Sequence, residues 1–392
     1  MKIRVPFGRF CLQLAVGLLI ISSAAVNAQS PISVRRNLKI PDISGYHTLK
    51  CDFHMHTVFS DGRVWPSVRV QEAWSEGLDG LAITDHLEYQ PHKDDIKPNP
   101  DRPHEIIVEF GTDYDIVVVK GVEVTKTPDP VGHYNALFLS DVAAVEHEDH
   151  IISLRAAKKQ GAFIFWNHPG WRNHDNTGRA HWHMEQTAAF EAGLMDGIEI
   201  VNGREYYPAA FGWALEKNLT LMGTTDIHSP IAFDYAAGEI RPHTLVFSRD
   251  KTAEGVKEAL LNRRTAVVSV GGQDVYGQEI YLRPLFDSSV EVLNSTLEYI
   301  GHRTQAVLHL RNKSDLPLRL VADGKVEGFA FPDKIVLAPD ATVVVMIKKK
   351  GTEPGLRTVK LPYLVQNFHI TPEQSLHVSL AIEIKTTPED KP

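Results

Sequence analysis

The sequence predicts an α/β fold followed by a smaller antiparallel β-sandwich, because two different hydrophobic patterns divide the chain. Between residues 48 and 270, short continuous apolar runs alternate with amphipathic stretches of helical length. Continuous runs are typical of strands buried on both faces, and repeated strand–helix units indicate a parallel sheet, either open or closed into a barrel. After about residue 285 apolar and polar residues alternate, with interruptions by Pro, Gly and Asp, which indicates a sandwich.

The individual elements follow from these runs. We expect strands at residues 81–84, 116–119, 163–166, 198–201 and 220–222, with helices at 68–76, 151–160, 209–218 and 253–262. Residues 89–104 are rich in Pro, Asp, Lys and His, and predict a long polar loop over one end of the first domain. The predicted domains are the α/β domain at residues 40–284 and the sandwich at residues 285–387.

The composition limits the classes of function. The chain has 392 residues, of which 43% are hydrophobic, so it can bury a large core. Its net charge is −8, which argues against a stable nucleic-acid partner because no broad basic face is available for a phosphate backbone. The 19 His residues are a large supply of the commonest metal ligand.

The amino terminus predicts export. A basic start is followed by an apolar run at residues 11–21 and small residues at 24–28, which is typical of a secretory signal peptide spanning residues 1–28. The run is short for a bilayer span and no Cys follows it for lipid attachment, so a cleaved periplasmic or secreted protein without a membrane anchor is favoured over an uncleaved anchor. The mature chain would keep only Cys51 and could form no intrachain disulfide.

Metal-capable side chains follow the predicted strands. His54 and His56 share one strand face with Asp52, so the two imidazoles can hold one metal. This pattern alone is weak, since His181 and His183 repeat it. Other candidate residues close buried runs in the same way: Asp85, His86, Glu123, His168, Glu199, Asp226 and His228. A parallel barrel gathers such strand ends on one rim, where these folds keep their active sites.

Two further candidates lie near these strand ends. Asp61 occupies an Asp-Gly turn shortly after His56, where a structural turn residue is the competing interpretation. His133 begins another apolar run, and either a ligand or an ordinary strand-end His fits that position.

The ordered set of motifs resembles the PHP family, named for polymerase and histidinol phosphatase, over roughly residues 47–270. The motifs are Asp52-Phe53-His54-Met55-His56-Thr57, Ser60-Asp61-Gly62, Thr84-Asp85-His86, Gly121-Val122-Glu123, Asn167-His168-Pro169-Gly170 and Thr225-Asp226-Ile227-His228-Ser229. The resemblance implies a distorted (β/α)7 barrel, two or three divalent metal ions and phosphoester hydrolysis. The implied metal ligands are His54, His56, Asp61, His86, Glu123, His133, His168, Asp226 and His228.

The resemblance also suggests roles for particular residues. Glu123 matches the carboxylate that bridges metals, and Glu199 matches a position that more often supports a ligand than binds metal. The signal peptide and β-rich tail resemble an exported phosphodiesterase branch of the family. Imidazole and carboxylate ligands without thiolates suit Mn, Zn or Fe.

A mechanism follows as a hypothesis. A metal-bridging hydroxide would attack phosphorus in a small anionic phosphoester, while Asp226 or His228 handles the proton. The candidate catalytic residues are Asp226, His228 and Glu123. Arg172 and Arg204 are candidate phosphate clamps, with surface salt bridges as the competing interpretation.

Three alternatives remain at this point. The chain could be a phosphomonoesterase, similar to histidinol phosphatase or a nucleoside-bisphosphate phosphatase. It could be a metal-dependent amide or lactone hydrolase, although those two-metal sites usually use a modified Lys where this chain has Glu123. It could also be a non-catalytic binding protein of the cell envelope, which would be expected to have lost several ligands.

Overall fold

The computed structural model describes residues 34–125, 132–173, 176–351 and 353–388. The predicted signal peptide lies outside these residues. None of the helices within the described ranges is long and apolar enough to cross a bilayer. From Arg35 onward the chain forms one compact unit.

The α/β part of the chain alternates strands and helices as the apolar runs predict. Its strands are β1 (His47–Asp52), β2 (Gly80–Ile83), β3 (Val117–Val124), β4 (Tyr134–Leu137), β5 (Phe163–Trp166), β6 (Gly197–Asn202), β7 (Glu205–Tyr206), β8 (Thr220–Thr224), β9 (His243–Ser248), β10 (Thr265–Val268) and β11 (Val275–Gly277). Its helices are α1 (Pro66–Ser75), α2 (Arg102–Asp113), α3 (His150–Lys159), α4 (Met184–Glu191), α5 (Pro208–Lys217), α6 (Ile231–Asp234), α7 (Ala253–Leu261) and α8 (Glu279–Ser289).

The barrel consists of strands in the order β9–β1–β2–β3–β4–β5–β6–β8. It closes where β8 meets β9, because the Thr244 hydroxyl donates to the Gly223 carbonyl and accepts from the Gly223 amide, each at 2.9 Å. Gly223 has no side chain that would collide with Val267 of β10, so the strands can approach closely at this seam.

The barrel is not wholly parallel, which corrects the expectation of a parallel sheet. β4 pairs antiparallel with both β3 and β5, and β9 pairs antiparallel with β1. Only residues 125–133 connect β3 to β4, which is too short for the helical crossover that joins parallel strands.

The prediction of a loop at residues 89–104 is wrong for its last residues, 102–104. Helix α2 begins at Arg102, with Pro103 in its first turn. Proline is compatible with the first turn, where its missing N–H has no intrahelical partner, so this Pro starts a helix and does not extend the loop.

The C-terminal sandwich consists of two packed sheets after α8. Its strands are β12 (Val290–Val292), β13 (Thr296–Ile300), β14 (Gln305–Asn312), β15 (Leu318–Ala322), β16 (Phe329–Ala330), β17 (Lys334–Leu337), β18 (Thr342–Lys349), β19 (Gly355–His369) and β20 (Ser375–Thr387). One sheet has the order β12–β14–β18–β16, and the other contains β13, β20, β19, β15 and β17. Side chains of β20 alternate between buried and exposed, as the sequence pattern predicts.

The sandwich is mainly antiparallel, but two strand pairs involving it are parallel. β13 pairs in parallel with β20, and β11 of the α/β part pairs in parallel with β19. The second pair makes the barrel sheet continuous with one sandwich sheet. The predicted combination of a distorted α/β barrel and a smaller β-sandwich is confirmed, while α8 crosses the predicted 284/285 boundary, so the domain limits stay a prediction.

Aromatic rings reinforce the junction between the barrel and the sandwich. Tyr276 of β11 stacks on Tyr206 with ring centroids 4.4 Å apart, and on His369 of β19 at 5.0 Å. His369 Nε2 also lies 3.3 Å from a carboxylate oxygen of Asp274. Tyr276 therefore links the sandwich to the segment that follows β6.

Candidate metal centre

The structure brings all nine candidate metal ligands together where strands of the barrel end or, for His133, begin. They form four overlapping groups in which the candidate ligand atoms lie within 4.8 Å of one another. The groups are His56, Asp61, His86 and His228; His54, His56 and Glu123; His54, His168 and Asp226; and His86, Glu123 and His133. His133 joins them because the antiparallel β4 starts at the end where β3 and β5 finish.

Glu123 lies at the centre of the cluster and is fully buried. Its Oε2 is 2.8 Å from His86 Nδ1 and 3.4 Å from His56 Nε2. Its Oε1 is 3.1 Å from His133 Nδ1 and 3.5 Å from His54 Nε2. The two oxygens thus face different imidazoles, which is the arrangement a carboxylate needs to link two cations.

Asp226, which follows β8, contacts His54 and His56, which follow β1. Its Oδ1 lies 3.0 Å from His56 Nε2 and 3.1 Å from His54 Nε2. Asp226 has a φ of 54°, in the left-handed region that non-glycine residues seldom adopt. Such strain is typical of a functional position held by its surroundings.

Asp61 joins the other side of the cluster. Its Oδ1 is 3.2 Å from His228 Nε2 and 3.5 Å from His86 Nε2. The chain can place Asp61 there because Gly62 has no side chain. A Cβ at Gly62 would lie only 2.5 Å from the His56 carbonyl carbon. The Asp-Gly turn therefore has a steric reason as well as a candidate ligand.

The carboxylates and imidazoles stabilise each other's charged forms. Burial favours the neutral acid, but His86, His54 and His133 outweigh it and hold the pKa of Glu123 well below its usual value. Burial opposes the charged form of His86 too, yet Glu123 and Asp61 raise the pKa of His86 to about 10. His56 differs, since burial and the neighbouring His228 and His86 lower its pKa to about 3.

Several buried ligand atoms have no partner in hydrogen-bond geometry, although some of them lie within 3.5 Å of one another, and this tests whether cations fit the site. The atoms are His54 Nε2, His56 Nε2, Asp61 Oδ1, His86 Nδ1 and Glu123 Oε2. Burying polar atoms without partners is unfavourable, and native proteins seldom tolerate several in one place. Divalent cations would satisfy these atoms together, and the nitrogen and oxygen donors suit Mn, Zn or Fe. The residues therefore fit divalent metal ions.

Glu199 forms hydrogen bonds with two candidate ligands, His54 and His168. It is fully buried, with Oε1 2.7 Å from His54 Nδ1, while the His168 amide donates to Oε2 at 2.6 Å. The Thr224 hydroxyl and the Asn202 amide also donate to Glu199. These contacts orient the His54 ring so that its Nε2 faces the cluster.

Asp52 supports Asp226 through its neighbour. Asp52 is fully buried and accepts hydrogen bonds from the Thr225 hydroxyl at 2.6 Å and the Thr225 amide at 3.2 Å. The Asp226 amide in turn donates to the His54 carbonyl at 2.9 Å. Asp52 thereby fixes the backbone on which the strained Asp226 lies.

Sequence reasoning missed Arg69, a buried residue of α1. Its guanidinium donates to the backbone carbonyls of His56, Ile227 and Ser229, at 2.9 to 3.0 Å. These contacts tie together the two loops that carry His56 and His228. No local sequence signal identifies this role, because the acceptors are backbone atoms distant along the chain.

The two candidate phosphate clamps lie outside the four ligand groups. Arg204 is exposed and forms a salt bridge of 2.9 Å with Glu239, although it borders a cavity of about 330 Å³ that Asp226 and His228 also line. Arg172 is exposed in the loop after β5 and lies against Gly178. Their assignment as clamps stays a prediction.

Comparison with known proteins agrees with this architecture. A family model for an Ig-like domain matches residues 290–381, within the sandwich. An uncharacterized protein of Methanocaldococcus jannaschii is 36% identical over 80 residues, which span 20% of this chain and 35% of that protein. That short match carries no conclusion about activity.

A solved structure from Bacteroides vulgatus is similar over nearly the whole chain. It is a two-domain protein containing a predicted PHP-like metal-dependent phosphoesterase. It is 39% identical, the match covers 89% of this chain and 99% of that chain, and the TM-score is 0.82. Since the likeness spans both the metal cluster and the sandwich, this chain belongs to the family of PHP-like metal-dependent phosphoesterases.

Proposed function

We propose that this protein hydrolyses phosphodiester bonds in small organic or nucleotide substrates, with two or three divalent ions of Mn, Zn or Fe held by the nine-residue cluster. The observation that carries the proposal is the set of buried imidazole and carboxylate atoms that face one another without hydrogen bonds. Bound cations would act as Lewis acids, lowering the pKa of water and offsetting negative charge on a phosphoryl group.

The protein's own residues divide the remaining work. Glu123 contacts the surrounding histidines and fixes their positions. It is fully buried, so it would not contact the substrate. His228 is the more accessible group, with 35% of its side chain exposed, and it borders the cavity beside Asp226. Its Nδ1 donates to the Asp226 carbonyl at 2.8 Å, which fixes the ring. Since its Nδ1 is engaged there and its Nε2 is a candidate metal donor, His228 would hold a cation. The Asp226 carboxylate, which borders the same cavity, would accept the proton of the attacking water.

The charge of the cavity favours a diester over a monoester. Asp234 lines it without being a candidate metal ligand, so bound cations would not directly offset its charge, and the one arginine among the lining residues, Arg204, already pairs with Glu239. A diester carries one negative charge, whereas a monoester approaches two at neutral pH, so Asp234 repels a monoester more strongly. Phosphomonoester hydrolysis is the alternative function.

The amide and lactone alternative has less support. The central position, where those enzymes use a modified lysine, holds the carboxylate of Glu123, which lies within 3.5 Å of five imidazoles. We therefore propose a small anionic phosphoester as the binding partner.

A hydrolysis panel tests the proposal. The purified protein is reconstituted with Mn or Zn and assayed on bis(p-nitrophenyl) phosphate, p-nitrophenyl phosphate, anilides and lactones. We expect the highest kcat/KM for the diester and loss of that activity in His228→Ala. Hydrolysis confined to monoesters would support the alternative, and hydrolysis confined to anilides and lactones would contradict both.

We also propose that the protein is exported after removal of residues 1–28. This rests on the basic, apolar and small-residue pattern of that segment. Fractionation of the native cells followed by amino-terminal sequencing tests it, with a mature start near residue 29 outside the cytoplasm as the expected result. An intact amino terminus in the cytoplasmic fraction would contradict export.

A further inference from the structure

Exposed aromatic side chains are confined to one region of the described chain. Four large aromatic residues are exposed, namely Trp65 (47%), Tyr89 (54%), Trp171 (37%) and Phe233 (76%). Each lies in a segment that follows a ligand-bearing strand of the barrel: after β1, β2, β5 and β8 respectively. Among the described residues the sandwich exposes aliphatic side chains but no large aromatic one.

Two of these rings touch candidate metal ligands directly. The Trp171 ring centroid lies 5.2 Å from that of His168 and 5.3 Å from that of His133. The Tyr89 ring meets His86 edge-on at 6.0 Å. Because His86 and His133 are themselves 5.8 Å apart, the two aromatic residues continue the wall of the metal centre outwards on either side of this pair.

The other two rings lie one layer further out. Trp65 packs against Phe59 at 5.5 Å, in the loop that also carries Asp61. Phe233 precedes Asp234 and Tyr235, which line the cavity beside Asp226 and His228. The four residues therefore lie in the segments that follow ligand-bearing strands, two of them in contact with candidate ligands, and we call the set the aromatic rim.

An aromatic surface beside a cationic centre matches a particular ligand chemistry. Exposed apolar surface rimmed by polar groups marks ligand-binding sites more often than random surface does. Tryptophan and tyrosine present flat faces that stack on other flat rings, and each stacked base contributes about 1–3 kcal/mol in proteins that bind single-stranded nucleic acids. A phosphoester attached to a ring would place its charge on the metals and its ring on the rim.

We propose that the aromatic rim binds a planar ring, either an aryl group or a nucleobase, that is part of the phosphoester substrate, with Trp171 and Tyr89 as the stacking residues. This inference rests on the proposed phosphoesterase function and specifies its substrate class. It assigns Trp171 and Tyr89 to substrate selection and leaves metal binding to the nine-residue cluster.

Equilibrium binding tests the ring preference without turnover. The Mn-loaded protein is titrated by calorimetry with phenylphosphonate and with methylphosphonate, which share the anion but differ in the ring. We expect phenylphosphonate to bind roughly 5- to 150-fold more tightly, the range that stacking of one ring provides. Trp171→Ala should remove most of this preference, whereas Trp171→Phe should keep most of it. Equal affinity of the wild-type protein for both phosphonates would overturn a preference for aryl rings.

A second pair of probes separates the two sources of the ring. The phosphonate analogues of adenosine monophosphate and ribose phosphate differ only in the base. A preference for the adenosine analogue that Tyr89→Ala or Trp171→Ala weakens identifies a nucleobase, and a preference for phenylphosphonate alone identifies an aryl group. Absence of any ring preference in both pairs overturns the inference.

Controls keep the result specific. Metal content and melting temperature are measured for every variant, and Tyr89→Ala replaces Trp171→Ala as the deciding variant if the latter loses metal. Leu356→Ala removes an exposed apolar side chain (64%) from the sandwich and should leave both affinities unchanged. If phosphoesters are hydrolysed without ring preference, only this inference fails. If rings are preferred but no phosphoester is hydrolysed, the proposed function fails.

Discussion

The barrel and the C-terminal sandwich treat buried polar atoms in opposite ways. In the sandwich, the Asn312 amide donates to three backbone carbonyls at 2.8 to 3.3 Å, and the buried Tyr299 hydroxyl donates to the Ile347 carbonyl at 3.0 Å. In the described chain, the buried side-chain atoms without hydrogen bonds lie between His54 and His243, and none lies in the sandwich. The described part of the sandwich thus satisfies its buried polar side chains internally, whereas the barrel does not, and the unpaired atoms of its metal cluster are those that bound cations would satisfy.

This contrast predicts that substitutions at the barrel rim mainly change metal binding and activity, whereas substitutions in the sandwich mainly change stability. The barrel rim leaves imidazole and carboxylate atoms facing one another, which is unfavourable until cations bind. The sandwich has paired polar groups and an apolar core that continues into β9, β10 and β11 of the barrel, so this core and the junction at β11 and β19 stabilise the fold. Substitutions in the two regions should therefore have different signatures.

The largest effect is expected from removing a candidate ligand. Asp226→Ala or His54→Ala leaves the facing histidine or carboxylate atoms without a shared cation, so turnover and metal content should each fall by about two orders of magnitude or more. Metal content is measured by mass spectrometry and turnover with a chromogenic phosphodiester.

A matched pair in the sandwich provides the control for that change. Asp323 lies 2.6 Å from His377 Nδ1 on the surface, so Asp323→Ala also removes a carboxylate from a histidine. Its metal content and turnover should match the wild type. Wild-type turnover in purified Asp226→Ala would refute the role assigned to Asp226.

The next effect concerns stability. Leu361 is fully buried in the sandwich core, and Leu361→Ala should lower the free energy of unfolding by about 2–5 kcal/mol. Adding Mn at 100 times its dissociation constant should raise that free energy by about 2.7 kcal/mol in both the wild type and this variant. Denaturant titrations with and without metal measure both quantities. A metal increment that disappears in Leu361→Ala would show that the two regions are not separable in this way.

A smaller effect is expected at Glu199. Glu199→Gln removes the charge that orients His54 while keeping a side chain of similar shape, so metal affinity should fall by about 10- to 100-fold. Metal titration followed by calorimetry measures the change. The control is Glu298→Gln, since Glu298 pairs with Lys385 on the sandwich surface at 3.0 Å. Unchanged affinity in Glu199→Gln would remove Glu199 from the metal site.

The smallest effect, taken per pH unit, is a pH dependence at His243. Burial lowers the pKa of His243 from 6.5 to about 4, and the nearby charges of Lys50 and Arg241 add to this, although the Arg241 carbonyl accepts from the ring. The unfolded chain therefore binds a proton at His243 that the folded chain does not, and stability present above pH 6.5 is lost as the pH falls towards 4. The loss is about 1.4 kcal/mol per pH unit.

A variant isolates this contribution. His243→Gln cannot titrate, so the wild type should become less stable relative to the variant as the pH falls through this window. Urea unfolding of both proteins at several pH values gives the difference. A constant difference between wild type and His243→Gln would contradict the prediction.

Much of the candidate site could be predicted from sequence because its side chains lie in local motifs. His54, His56, Asp226 and His228 each follow a buried strand, and strand direction alone places them on one rim. The resemblance to a known family added the order of the motifs. Neither argument required knowledge of side-chain packing.

The remainder depends on contacts between distant segments. The sequence does not show that Arg204 pairs with Glu239, which lies 35 residues further along the chain. Arg69 resembles any helical arginine until its three backbone acceptors are known. Pro103 looked like part of a loop because a proline in a helix's first turn and a proline in a loop have the same local signature.

The parallel pairing of β11 with β19 has a practical consequence for anyone who wishes to divide the chain. Truncation before the sandwich would remove Phe368 and His369, the β19 residues that pair with β11. It would leave β11 as an unpaired strand edge on the barrel. Such edges recruit other molecules. A truncated barrel should therefore be prone to aggregation. The barrel and the sandwich are better expressed as one unit than as separate modules.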